Sequence, residues 1–448
     1  MSPHADAIRL QLALGPASSR QLQQRLGLSQ PTLSRALKAL DAHVVRLGAG
    51  ASIHYALRDT VRGLPDIAVY RVSPEGQIKE LGLLIPVRPE GFVMRQTNGK
   101  TLHGDGLPWW LYDMRPQGYL GRAYAQRHGA LLGLPASLSQ WSDTHALTAL
   151  LRHGHDLSGN LLLGEAMRQH FLNGPLAQPV AVVDKPLRYA ELAREAAQGE
   201  LPGSSAGGEQ PKFTVYAATK AGPQHMIVKF SEAADHSVSR RWRDLLLAEH
   251  LALEALDAQG VPAAASQVVD CGTQRFLEVQ RFDRVGARGR RGLFSLAALD
   301  AEFVGAAQTG WPGIARPLAQ QGMIRPEAAD GAALLWAFGT LIGNTDMHAG
   351  NLSFVSDHGR PYALAPAYDM TPMAFAPRSG GGYQDRIPEA SLHPGVTVAQ
   401  WHQAERMARE YLKRLRQETR FDAGFAPCLH AMQQHLQRMG DKIRLLAA

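Results

Sequence analysis

The sequence predicts an α+β fold: an N-terminal winged helix, a mixed region of strands and helices, and a mostly helical C-terminal lobe. Three observations predict it. Residues 1–60 run helix, helix, helix, hairpin. β-like runs at Phe213–Ala217, His225–Phe230 and Arg275–Gln280 bracket a long helical pattern from Ser237 to Ala258. Beyond about residue 293 the pattern is helical except for a hairpin near 352–364.

The first helix is the apolar-periodic stretch Ile8–Leu14, stopped by Gly15-Pro16. Ser18 or Ser19 caps the second, with Leu22 and Leu26 inward and Gly27 ending it. Ser29 caps the third, with Pro31 in its first turn and Leu33, Ala36, Leu37 and Leu40 inward. Val44–Leu47 and Ile53–Leu57, around a Gly-Ala-Gly turn at 48–50, alternate like a hairpin. Ile67–Val72, Ile78–Ile85 and Phe92–Arg95 are short strands separated by Pro-Glu-Gly turns. Residues 131–200 are expected to be mostly helical, and Gly199–Gly208 is a small-residue loop. Amphipathic helices from Val398 and from Phe425 close the chain.

Composition narrows the class. A length of 448 residues suggests about three domains at roughly 150 residues each. We place them at 1–60, 61–280 and 281–448. An apolar fraction of 45% excludes a largely disordered chain. Two cysteines, Cys271 and Cys428, make neither a disulfide framework nor a thiolate zinc site. No signal-peptide pattern and no apolar run of about 18 residues is present, so we expect a cytoplasmic, soluble protein with no membrane partner. The net charge is +7, and residues 1–60 hold +4 of it.

The most informative stretch is Leu341-Ile342-Gly343-Asn344-Thr345-Asp346-Met347-His348-Ala349-Gly350-Asn351. Asp346 and Asn351 have the D-x-x-x-x-N spacing of a kinase catalytic loop. There the Asp deprotonates the attacking hydroxyl, and the Asn carbonyl oxygen is a hard ligand suited to Mg²⁺. A second carboxylate comes on the next hairpin, Asp369 in Tyr368-Asp369-Met370. Ser204-Ser205-Ala206-Gly207-Gly208 can cover phosphates, because glycines let backbone N–H groups approach them. Lys229 sits in a strand one hairpin later, as a phosphate-pairing lysine would. Glu249, on the following helix, either pairs with Lys229 or lies on a solvated face. Phe276–Arg284 has the place of a two-lobed kinase's hinge; Arg281, Asp283 and Arg284 could simply form ion pairs there.

These motifs, with Glu-Gln-Pro-Lys, Val-Gln-Arg-Phe-Asp-Arg and Tyr-Asp-Met, resemble the HipA family of serine/threonine kinases, toxins of type II toxin–antitoxin systems. The likeness covers about residues 64–440. The leading domain resembles the HipH (YjjJ) branch, which carries its own helix-turn-helix. The resemblance implies a two-lobed protein-kinase-like fold using ATP and Mg²⁺. It implies Asp346 as catalytic base and Asn351 and Asp369 as metal ligands. Lys229, Ala206, Gly207, Gly208, Gln280, Phe282 and His348 would contact nucleotide. It further implies silencing by autophosphorylation in the Gly-rich loop, at Ser204 or Ser205. Expected partners are a protein substrate (an aminoacyl-tRNA synthetase is the family's best-known one), a second copy of the chain or a small antitoxin, and DNA. The chain departs from the family at Gln280, where Glu is frequent, and by one extra residue in the Gly loop.

In the winged helix, Gln30, Thr32, Ser34, Arg35 and Lys38 lie on the outward face of the third helix, in reach of a major groove. Arg46 and His54 on the wing are placed for phosphate. The alternative is a protein-interaction winged helix with a solvated basic face. Two other functions compete with a protein kinase. One is a small-molecule phosphotransferase of the aminoglycoside or fructosamine kinase type, in whose His-Gly-Asp loop Asn344 would replace the His. The other is a nucleotide-sensing transcriptional regulator.

Overall fold

The first helix, α1 (Pro3–Ala13), buries Ala5, Ile8 and Leu12 completely along one face. A two-residue strand, β1 (Ala17–Ser18), leads into α2 (Ser19–Leu26). Ser18 caps α2 by accepting from the Gln21 N–H, and Gln21 returns the bond to the Ser18 N–H. Gly27 ends the helix at φ +64. Ser29 caps α3 (Gln30–Ala39), with Pro31 in its first turn. The strands β2 (Val44–Leu47) and β3 (His54–Leu57) form the expected hairpin, and β1 pairs with β3's other edge. Leu22, Leu33 and Leu40 join α1's apolar face in one core.

The structure, a computed structural model, describes residues 3–48, 53–197, 210–357, 359–378 and 382–446. Contacts divide the chain into two units: Met1–Arg115 with Leu132–Pro175, and Pro116–Leu131 with Leu176–Ala448. In the first, β4 (Ile67–Val72), β5 (Ile78–Pro86), β6 (Phe92–Gln96) and β7 (Thr101–Gly104) form an antiparallel sheet. After α4 (Gly118–His128), which belongs to the second unit, come α5 (Asp143–His153), β8 (Leu161–Leu163) and α6 (Gly164–Asn173). β8 falls within a region expected to be mostly helical. Its three leucines pair with Val69–Arg71 of β4, a tertiary pairing that overrides a run too short to show a period. Gly82 allows β5 to approach β6: a Cβ there would meet the Arg95 carbonyl at 2.0 Å. The β2–β3 hairpin's other face, Val45, Leu47 and Ala56, packs on Ile85, Val87 and Val93 of this sheet. Residues 1–60 therefore share a core with the β5–β6 part of the sheet.

The second unit opens, after α4, with α7 (Lys185–Ala197). A four-stranded antiparallel sheet comes next, in the order β11-β12-β10-β9, from β9 (Lys212–Thr219), β10 (Gly222–Phe230), β11 (Ser266–Cys271) and β12 (Gln274–Gln280). α8 (Ser237–Asp257) lies between β10 and β11 in the chain. Alternation along the strands decides the faces. Val228, Phe230 and Phe276 pack on Tyr189 of α7, whereas Leu277 and Val279 pack on Leu246 of α8. Lys229, between Val228 and Phe230, therefore points to the α8 side.

Short strands β13 (Arg284–Val285), β14 (Gly289–Arg290) and β15 (Gly292–Ser295) precede α9 (Leu296–Phe303), α10 (Gly310–Gln320) and α11 (Pro326–Ile342). The expected hairpin is β16 (Ser353–Ser356) with β17 (Ala363–Leu364). β15 adds to its other edge. α12 (Val398–Gln417) and α13 (Ala426–Leu446) end the chain. α11 is apolar on nearly every side because α10, α12 and α13 surround it. A buried helix of this kind holds the catalytic-type loop at its C-terminus. Among the described residues no helix is long and apolar enough to cross a membrane.

Candidate active site

α11 stops at Gly343, whose φ of +78 turns the chain out of the helix. The next residue, Asn344, is 3% exposed and ties two loops together. Its Oδ1 accepts from the Asp346 N–H at 3.0 Å, and its Nδ2 donates to the Asp369 carbonyl at 3.1 Å. Asn351 closes the loop by donating from Nδ2 to the Asp346 carbonyl at 2.9 Å. His348 accepts the Gly350 N–H on Nδ1, and its carbonyl receives the Trp311 indole N–H at 3.0 Å. The backbone around Asp346 is thus fixed from both sides while the residue itself is exposed. An exposed carboxylate on a pinned backbone suits a group that must meet an incoming hydroxyl.

Asp369 has φ +53, the one positive value outside glycine among the described residues. Such a backbone costs of order 1–3 kcal/mol and persists only where its surroundings over-determine it. Here the carbonyl is held by Asn344 and the carboxylate by Lys229. The preceding Tyr368 hydroxyl donates to the Gly350 carbonyl at 2.9 Å and receives the Ser353 hydroxyl at 2.7 Å. The strain therefore goes into aiming one carboxylate.

Lys229 is buried and also meets Glu249 of α8, at 2.6 and 2.8 Å. This resolves the reading of Glu249 in favour of the pair. Thr371 donates to the other side of Glu249 at 2.8 Å. Burial opposes the Lys229 ammonium, but Asp369 and Glu249 outweigh it and hold its pKa above the usual lysine range. Burial likewise opposes the Asp369 carboxylate. Lys229, then Lys212, then His348 keep its pKa below the usual range. Lys212 is Lys229's cross-strand partner in β9, so both lysines serve one face.

At the hinge position the Gln280 N–H donates to the Ala265 carbonyl at 2.8 Å, and its side chain donates to Gln224 at 3.2 Å. Phe282 packs on Tyr368 with ring centres 5.6 Å apart. Arg281 and Arg284 both pair with Asp283, at 3.1 and 2.7 Å. Ser204, Ser205, Ala206, Gly207 and Gly208 lie outside the described residues. In the first unit, Gln30, Ser34, Arg35 and Lys38 are exposed on α3, and so are Arg46 and His54 on the β2–β3 hairpin. Thr32 is half-buried and its hydroxyl bonds Ser29 within the cap.

The oxygen donors fit a hard divalent cation. Asn351 spends its amide nitrogen on Asp346, which leaves the carbonyl oxygen as a ligand, and Asp369 supplies a carboxylate. Among the described residues no group of three or more His, Cys, Asp or Glu is gathered to hold a metal. A cation here would take its remaining ligands from phosphate and water. Of the residues expected from the sequence, the structure brings Lys229 to Asp369 and Asn351 to Asp346. The struts Thr371 and Trp311, and the bond from Asn344 to the Asp369 carbonyl, were not expected, because these partners are distant in the chain. A polar Asn directly after an apolar helix was the available signal for Asn344.

Comparison with known proteins gives the family. Residues 64–172 match the model of the YjjJ-like toxin middle domain, and residues 204–439 match that of the HipA-like C-terminal domain. The chain is 37% identical over 434 residues to Toxin YjjJ of Escherichia coli strain K12, covering 96% of this chain and 97% of that one. The chain belongs to the YjjJ-like toxins of the HipA type. The fold extends to more distant members. HipA from the Shewanella oneidensis MR-1 complex of HipA, HipB and operator DNA is similar with a TM-score of 0.51 at 17% identity. That match covers 84% of this chain and 99% of that one. In this YjjJ-like chain the HipA-type domain contains every residue of the Lys229, Asp346 and Asp369 constellation.

Proposed function

We propose that this YjjJ-like toxin is an ATP-dependent serine/threonine protein kinase of a toxin–antitoxin-like, persistence-related system. The observation that carries the reading is the joint built by Asn344. It couples the exposed Asp346 to Asp369, which in turn is held by a lysine that also pairs with an acid on α8. A phosphotransferase needs this coupling of acceptor side to phosphate side.

When bound, ATP supplies the phosphoryl group and Mg²⁺ offsets its charge. The chain's own residues do the rest. Asp346 accepts the proton that a serine or threonine hydroxyl gives up. Asn351 and Asp369 present oxygens to the cation. Glu249 orients Lys229, whose ammonium would face the phosphates, and Gln280 and Phe282 would lie along the adenine side. Autophosphorylation at Ser204 or Ser205 would place a dianion in the loop that covers the phosphates, and so silence the enzyme.

The three-helix and hairpin unit supports a winged helix-turn-helix that binds DNA through Gln30, Ser34, Arg35 and Lys38. Thr32 serves mainly the cap. Two copies, or a small antitoxin, would supply specificity that one module lacks.

The test is intact mass and peptide mapping after incubation with Mg-ATP, wild type beside Asp346→Asn. We expect phosphate on the wild-type 204–208 loop and transfer lowered about 10²–10⁴-fold in the variant. Equal phosphate in both would overturn the role of Asp346. Phosphate on a metabolite and none on protein would replace the protein-kinase reading.

A further inference from the structure

Two hollows lie beside the catalytic-type loop and share one wall. The first, about 350 Å³, runs from Thr345 and Met347, the neighbours of Asp346, to the segment 387–394. The second, about 670 Å³, runs from there along α10 from Gly310 to Arg316 and Gln320. Trp336, His393 and Pro394 line both, so the two hollows adjoin and together make one trough, whose first part reaches Asp346's flank.

The trough is built rather than incidental. Both ring nitrogens of His393 are used: Nε2 with the Thr309 carbonyl at 2.7 Å, and Nδ1 with the Gly395 N–H at 2.9 Å. The imidazole stands edge-on to Trp336 at 5.6 Å, and Trp336 edge-on to Trp311 at 5.8 Å. Trp311 is the residue that holds the His348 carbonyl. Gly310, at φ +66, lets α10 start against the Trp336 ring, where a Cβ would come within 2.8 Å. A chain of packed rings therefore runs from the trough to the loop that carries Asp346.

Charge in the trough is one-sided. Glu389 is matched by Lys442 at 2.8 Å. Arg316 is exposed, donates to the Gly395 carbonyl at 3.0 Å, and makes no ion pair among the described residues. Apolar surface is supplied by Trp336, Met347, Ile387 and Leu392.

We infer that this trough docks an extended peptide of the protein substrate, with an apolar side chain over Trp336 and an acidic residue against Arg316. The inference rests on the kinase reading and names the substrate class for it. Docking at Trp336 bears on the ring chain, so a seated peptide also steadies the backbone that presents Asp346.

An arrayed library tests it. Each peptide carries one serine or threonine, and Asp, Lys or Leu is fixed in turn at each flanking position. Wild type is expected to favour Asp at one position roughly three- to fivefold, the scale of an exposed ion pair. Arg316→Glu should reverse that preference toward Lys. Ser391→Trp, which fills the first hollow from an exposed position, should raise KM for peptide about tenfold. An unchanged preference in Arg316→Glu, with wild type active on peptides, overturns the trough and leaves the kinase reading intact. Wild type that forms ADP and phosphorylates itself but no peptide in the library also overturns it. Wild type that forms no ADP and transfers phosphate to nothing overturns the kinase reading itself.

Discussion

Two buried lysines sit on opposite faces of the same four-stranded sheet, and their surroundings differ. Lys185 of α7 pairs with Glu278 of β12 at 2.7 Å, and both are at most 1% exposed. The Tyr189 hydroxyl completes that cluster by donating to Glu278. Burial first, then the Glu278 bond and charge, push the Tyr189 hydroxyl's pKa up, so it stays a donor. On the other face, Lys229 is shared by two carboxylates, and one of them, Asp369, keeps 27% of its side chain exposed on a strained backbone. A lysine with one matched acid and a capping hydroxyl is finished. A lysine with two acids, one of them open to solvent, holds negative charge that a cation can still claim. Burial of an ion pair therefore does not by itself mark function. The unbalanced and accessible pair is the one that the proposed kinase reading uses.

The sharpest way to break the comparison is to remove each ammonium. Lys229→Met should lower phosphoryl transfer about 10²–10³-fold, as loss of one positioned donor does. It is read by transfer rate on protein whose circular dichroism matches wild type. Lys185→Met should instead cost about 3–5 kcal/mol of stability, because Glu278 is left buried and unpaired. Denaturant unfolding measures it, and the folded fraction should keep a near-normal rate per molecule. If Lys185→Met abolished transfer without destabilising the chain, the division into a structural and a functional lysine would fail.

A charge-free core sharpens the same point. Lys185→Met with Glu278→Leu and Tyr189→Phe removes every member of the closed cluster and should be near neutral, within about 1–2 kcal/mol of wild type. The matching replacement around Lys229 should leave no transfer at all. Unfolding midpoints and phosphate incorporation on the two sets decide it.

The contrast also explains what the sequence disclosed. Lys229 was legible because its neighbours form an ordered series: glycine loop, strand lysine, catalytic-type loop, second carboxylate. Lys185 belongs to no such series, and its partner lies 93 residues away. The capping serines Ser18 and Ser29 were legible because a cap is local, three residues wide. Thr371 and Glu249, 122 residues apart, meet only through the fold. The strands β8 and β11 went unread for a similar reason: their pairing partners, not their own alternation, make them strands. The trough wall at 387–395 is irregular and carries no period to read.

A further buried acid, Asp244 of α8, gives the smallest effect and completes the comparison. Among the described residues it pairs with no lysine, and it accepts the Asp422 N–H at 3.0 Å. Burial raises its pKa to about 7, against the lowering effects of that N–H, Arg275 and Arg241, while Asp422 adds to the rise. The folded value lies above the unfolded one, so between about pH 4 and pH 7 the folded state binds the extra proton. Stability then falls as pH rises through that window and is level above it. Asp244→Asn keeps an oxygen for the Asp422 N–H but cannot ionise. It should flatten this part of the stability profile and raise stability at pH 7.5 by roughly 1 kcal/mol. Urea unfolding at pH 5 and pH 7.5 checks the sign. A variant whose profile keeps the wild-type slope would assign that slope to other groups. A shared lysine outweighs burial and holds Asp369 charged, whereas at Asp244 burial outweighs the nearby arginines and raises the pKa to about 7, so the balance of cation against burial sets the state of each acid.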